Sequence, residues 1–171
     1  MTSAALLTDA FGRVKETVHD AAGGMTEEQL AYRLDPDANP IGWLIWHLTR
    51  VQDDHIADAF GTAQVWASGD WAPRFGLPAG SMETGYAHRS RDVAALRVPS
   101  AELLTGYYDA VHEQTIKHVS RVTDPDLERV VDEAWDPPVT LGVRLVSVIS
   151  DCLQHGGQAA FVRGILLRNR R

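Results

Sequence analysis

Asp151 and His155 stand four residues apart in a stretch patterned as helix, so their side chains leave one face a single turn apart, about 6 Å along the axis. A carboxylate and an imidazole at that spacing can close on one ion. His47 is a third candidate: it sits in Trp43-Leu44-Ile45-Trp46-His47-Leu48, where a buried imidazole needs a polar partner to offset its lost hydration. Two His and one carboxylate drawn from two helices form a face suited to a divalent metal with open positions, either zinc or a first-row transition metal. The same residues also fit a plainer account, in which Asp151 and His155 are a solvated pair on a helix and His47 is a hydrogen-bonded core residue. Metal sites in helix bundles are built from facing helices, which keeps the first account open.

Other polar residues lie within reach of this set. Asp54 and His55 follow His47 by seven and eight residues, about two turns along the same helix, where either could orient the imidazole or act as an acid or base in a pocket beside it. Gln158, three after His155, falls on the same side and can hydrogen-bond a ligand or a substrate. Solvated helix surface accounts for Asp54 and His55 equally well, and helix packing around Gly156-Gly157 does so for Gln158. Cys152 points about 100° away from Asp151 and reads as an inert buried thiol. His19, His88, His112 and His118 have no partner at ligand spacing.

Four long helices must position these side chains. Leu7, Phe11, Val14, Val18 and Ala22 recur at three- and four-residue steps, which predicts a first amphipathic helix ending near Ala22, before Gly23-Gly24. Thr26 to Gln29 has the form of a capping box opening a short helical turn. Asn39-Pro40 starts the second helix, about Pro40 to Phe60. Between Gly61 and Pro99 five glycines and three prolines break the periodicity. A connection of that length is functional or crosses over a bundle. Pro99-Ser100 opens a third helix to about Arg121, Asp124-Pro125 caps another short turn, and Trp135-Asp136-Pro137-Pro138 makes a rigid connection. The last helix runs from after Thr140 to about Arg168. The fold class expected is all-α, a four-helix bundle with a long crossover between helices 2 and 3, as one domain over residues 1–171.

Composition narrows the partners. The formal charge is −7, with 16 Lys plus Arg against 23 Asp plus Glu, and the only basic cluster is the short end at Arg168, Arg170 and Arg171. Nucleic acid is therefore not an expected partner. No apolar run approaches the roughly 18 residues of a membrane span, so no membrane partner is expected either. One cysteine allows no intrachain disulfide, and the N-terminus lacks a secretory pattern, so a cytoplasmic location is expected. Bundles of this size often dimerise; a homodimer is compatible with the sequence, but no heptad run dictates it.

Two stretches carry a resemblance. Gly42-Trp43-Leu44-Ile45-Trp46-His47-Leu48-Thr49-Arg50-Val51, and downstream Asp151-Cys152-Leu153-Gln154-His155-Gly156-Gly157-Gln158 continuing to Gly164, resemble the signature segments of the DinB/YfiT-like superfamily, as do chain length and helix order. The resemblance implies a DinB-like bundle in which His47, Asp151 and His155 hold one divalent metal: zinc foremost, with nickel or manganese as alternatives. Many members carry His where this chain has Asp151, but a mycothiol-dependent maleylpyruvate isomerase of the superfamily uses an acidic residue there. It implies further a low-molecular-weight thiol S-transferase of detoxification, with mycothiol as co-substrate and a small electrophile as acceptor. In such an enzyme Arg50 and Arg163, one or two turns past the ligands, are candidates for binding the carboxylate or sugar hydroxyls of the thiol, although both also read as ordinary surface arginines. Trp135 and the Gly61–Pro99 connection are placed to wall the pocket mouth.

Metal-bound thiols deprotonate at neutral pH without any help from a protein cysteine. The same Lewis acid activates water, so a metal-assisted hydrolase is the second enzymatic reading. A third, from another class, is a stress-response protein that binds metal or a small molecule without turnover.

Overall fold

A computed structural model describes residues 1–168, so Arg170 and Arg171 of the basic end lie outside the described residues. Four long helices carry the fold: α1 (Ser3–Ala22), α3 (Ile41–Phe60), α6 (Ala101–Val119) and α7 (Leu141–Arg168). They agree with the sequence periodicity to within about two residues, because each boundary is written locally. Thr2 Oγ1 accepts from Ala5 N at 3.1 Å to cap α1, and Ser100 Oγ accepts from Leu103 N at 3.1 Å to cap α6; caps of this kind contribute about 1 kcal/mol each. Gly61 ends α3 in the left-handed conformation at φ 63°. The short α2 (Glu27–Leu30) has both halves of the capping box, Thr26 with Gln29.

Packing sets the helices in a ring. α7 lies against α1 and α3, and α6 lies against α1 and α3, so α1 and α3 face each other diagonally. Phe11, Val14, Val18, Ile45, Trp46, Leu48, Leu104, Tyr107, Leu145 and Cys152 fill the centre and are buried. α3 is covered on nearly every side: even Thr49, Arg50, Gln52 and Asp53 are buried. No described helix is long and apolar enough to cross a membrane.

The connection from Gly61 to Pro99 is less formless than its composition suggests. It contains α4 (Val65–Ser68), a 3₁₀ turn (Ala72–Phe75) and α5 (Ser90–Ala95), and Trp66 and Phe75 fold back into the core. The segment read as a rigid connection before α7 is a small antiparallel hairpin, β1 (Val130–Asp132) with β2 (Val139–Thr140). Trp135-Asp136-Pro137-Pro138 forms its turn. Strands this short leave almost no alternating pattern to read in a sequence.

Candidate metal centre

α3 and α7 adjoin, and their facing sides bring His47, Asp151 and His155 together, with one ligand atom from each within 4.8 Å of the other two. His155 Nε2 lies 3.6 Å from Asp151 Oδ1, and the His47 and His155 rings meet edge-on with centroids 4.8 Å apart. A tetrahedral ion with bonds of about 2.0–2.1 Å needs its ligands roughly 3.4 Å apart, so movements of about an ångström complete the geometry.

Both imidazoles are oriented for the task. His47 Nδ1 donates to the Thr84 carbonyl at 2.5 Å; a carbonyl can only accept, so the proton is on Nδ1 and the Nε2 lone pair is free. His155 Nδ1 is 2.9 Å from Gln158 Oε1, and the same reasoning frees its Nε2. Binding of the second ring nitrogen by a carbonyl is the usual way a ligand histidine is held. Asp151 Oδ2 is buried and has no hydrogen-bond partner among the described residues. An orphaned carboxylate oxygen beside two imidazole lone pairs lacks a positive group, and a divalent cation would supply one.

His47 is also clamped by ring contacts. Trp43 stacks on it at 4.6 Å and 15°, and Trp43 Nε1 donates to His88 Nδ1 at 3.2 Å. On its other side passes residues 81–85, a strap held by its carbonyls. Trp66 Nε1 donates to Ser81 O at 2.6 Å, Arg50 donates to Met82 O at 3.2 Å and to Glu83 O at 2.9 Å, and His47 takes Thr84 O. Gly85, at φ +92°, lies so near that a Cβ there would stand 2.8 Å from His47 Nδ1.

Burial lowers the pKa of His47 below its ordinary value of 6.5, against the opposing effect of the Thr84 bond. Burial likewise lowers His55, His112 and His118. Each therefore takes up a proton in the unfolded chain, near 6.5, before it does so in the folded one. Stability present above pH 6.5 is lost as pH falls through the lower folded values. We expect the urea midpoint of chelator-treated protein to fall steadily from pH 7 to pH 5; a flat profile contradicts this.

The remaining candidates are placed as follows. Gln158 joins the site through His155. Arg50 does not: it has no exposed surface, and its donors go to Asp53, Tyr107, Gln64 and the two strap carbonyls. A guanidinium so fully engaged has none left for a cofactor. Arg163 donates to Gly23 O at 2.8 Å and Ala21 O at 3.5 Å, so it closes the end of α1 and turns away from the triad. Asp54 accepts from Gln64 Nε2 at 2.6 Å and secures the crossover. His55 does not orient His47, since Thr84 does so; its Nδ1 accepts from Arg144 Nη1 at 2.7 Å. The sequence reading missed Thr84, whose contribution is a main-chain carbonyl and leaves no residue-type signal. It also missed Arg144.

Cys152 is fully buried, its Sγ 3.6 Å from Leu48 O, and burial pushes its thiol far above the normal range. Cys152→Ser is expected to leave metal content within error of wild type, and the native thiol to react with a disulfide reagent only on unfolding. Loss of activity in Cys152→Ser with metal retained would restore a cysteine nucleophile.

Comparison with known proteins adds two findings. A family model described as mycothiol-S-transferase matches residues 6–167. The crystal structure of a conserved protein from Enterococcus faecalis superposes with a TM-score of 0.86, over 95% of this chain and 96% of that one, at 29% sequence identity. No curated protein matches the chain.

Proposed function

Because the chain belongs to the mycothiol-S-transferase family, we propose that it is a metal-dependent S-transferase that joins a small cytoplasmic thiol, mycothiol in the first instance, to a small electrophile. The observation that carries this reading is the convergence of His47, Asp151 and His155 around the unpartnered Asp151 Oδ2. A divalent ion held there, zinc foremost, lowers the pKa of a thiol it binds so that sulfur is ionised at neutral pH. The protein's own part is orientation. His47 and His155 hold their Nε2 lone pairs inward because Thr84 and Gln158 occupy Nδ1, and Asp151 supplies one negative charge. Trp43 and the strap exclude water from the His47 side. The thiol proton leaves to solvent and sulfur bonds to the electrophilic carbon; a leaving group departs with its bonding pair, whereas with an epoxide the C–O bond breaks, or with an activated alkene the C=C π bond, and the resulting anion takes a proton back from solvent.

Two measurements on untagged protein test this. Metal content by mass spectrometry should give about one ion per chain in wild type and none in His47→Ala. Addition of mycothiol to the loaded protein should release about one proton per site, and acceleration of monobromobimane conjugation above the uncatalysed reaction of thiol and bimane should require the metal-loaded protein. Turnover without thiol would identify a hydrolase. Saturation with metal but no proton release would identify a binding protein.

A further inference from the structure

Beside the triad, the hairpin leans over α3 and α7 and encloses a groove of about 330 Å³, a volume at the lower end of small-molecule sites. Asp151 is among its lining residues, so the groove borders the triad at its carboxylate. Val51, Val139 and Val143 form apolar walls, and Trp135 stands at the mouth. Trp135 is 66% exposed. A large indole left in water on a hairpin turn, beside three valines, is a surface with an apolar body still to cover.

The polar groups of the groove define what that body carries. Arg144 is its one cation among the described residues, and it is engaged: Nη2 donates to Asp132 at 2.8 Å, Nη1 donates to His55 Nδ1 at 2.7 Å, and Asp58 lies 3.8 Å away. An incoming carboxylate would meet Asp132, Asp58 and Asp151 with no unpaired cation to receive it. His55 is the opposite case. A guanidinium only donates, so His55 Nδ1 must carry the lone pair and Nε2 the proton. Among the described residues the hydrogen bond of His55 is the one at Nδ1, and His55 lines the groove, so its Nε2–H is left for an occupant.

Resting on the S-transferase reading, we propose that this groove seats the electrophile, and that it selects an uncharged molecule with a ring-sized apolar body and a hydrogen-bond acceptor, such as a carbonyl, nitro or epoxide oxygen. The body packs against Trp135 and the valines, and His55 Nε2–H donates to the acceptor. Arg144 is a positioning residue: it fixes the His55 tautomer and ties α7 to the hairpin through Asp132.

A matched, unreactive pair of probes tests this without turnover. 4-Nitrobenzamide and 4-nitrobenzoate are nearly the same shape and differ in charge. In ¹H–¹⁵N spectra of the full chain, with and without zinc, 4-nitrobenzamide should saturably shift the Trp135 indole N–H, assigned by its loss in Trp135→Phe, together with the Ser147 amide. 4-Nitrobenzoate should bind about tenfold more weakly or worse. Val143→Glu, at a half-exposed position that folding tolerates, should weaken the amide about tenfold with zinc content unchanged, and His55→Phe should weaken it while keeping the apolar contacts. Equal binding of the two probes, shifts confined to other tryptophans, or an unaltered affinity in Val143→Glu would overturn the proposal. The two readings fail separately. Saturable amide binding in a protein that shows no thiol transfer leaves the groove and removes the S-transferase, whereas transfer to iodoacetamide in a protein that ignores the amide does the reverse.

Discussion

Gly85→Ala is expected to cut metal affinity by about ten- to a hundredfold and to destabilise the fold by about 1–3 kcal/mol. The new Cβ would stand 2.8 Å from His47 Nδ1, 2.9 Å from Trp43 Cζ2 and 3.0 Å from Trp46 Cζ3, at a backbone φ of +92°. None of the three rings can retreat, since Trp46 has no exposed surface and Trp43 and His47 have under a tenth. The strap must lift instead, and the Thr84 carbonyl leaves His47 with it. Gly80→Ala separates the two causes. Gly80 has a similar φ of +77° with nothing within 4 Å, so that variant should lose about 1 kcal/mol of stability and no metal affinity. A zinc competition titration together with urea unfolding reads both quantities. Wild-type affinity in Gly85→Ala would mean that the strap does not orient His47.

His155→Ala has the larger effect on function: it should abolish stoichiometric metal and, with it, thiol-dependent turnover. Removing one of three protein ligands leaves a two-residue site that competes poorly with buffer and chelator. Gln158→Ala removes only the acceptor that holds the ring, so its cost should be about ten- to a hundredfold in affinity, recoverable at high metal concentration. The contrast is diagnostic. Equal and complete loss in both variants would show that Gln158 acts through the fold, and retention of a full metal equivalent in His155→Ala would move the ion elsewhere.

The long helices were legible because their signals are local: the Gly23-Gly24 stop after α1, Pro40 at the start of α3, the Ser100 cap of α6, and apolar residues at helical spacing. Asp151 and His155 were legible as a pair for a related reason, as spacing on a helix fixes direction, whereas His47 stood out by its apolar setting and was joined to them by the family resemblance. What could not be read depends on chain that returns from far away. Arg50 looked like a surface arginine beside a ligand, yet its partners include Met82 and Glu83, more than thirty residues on, in a stretch whose glycines and prolines carry no period. Arg163 was misjudged similarly, since Gly23 approaches it from the other end of the sequence. The pairing of His55 with Arg144 depends on where α3 meets α7, which no local pattern encodes. Asp54 had Gln64 nearby in sequence, but only the turn of the crossover makes them meet.

Because the strap is gripped by its carbonyls at four consecutive residues, its hold on the core runs through main-chain atoms, with one side-chain contact added where Glu83 pairs with His88 at 3.4 Å. Met82 and Glu83 point outward, and Tyr86 just beyond them is 88% exposed. Substitutions at Met82 and Tyr86 are therefore expected to leave both the core and the histidine beneath undisturbed. A randomised library at Met82 and Tyr86 that spares Glu83 and Gly85 should yield mostly folded variants with wild-type metal affinity.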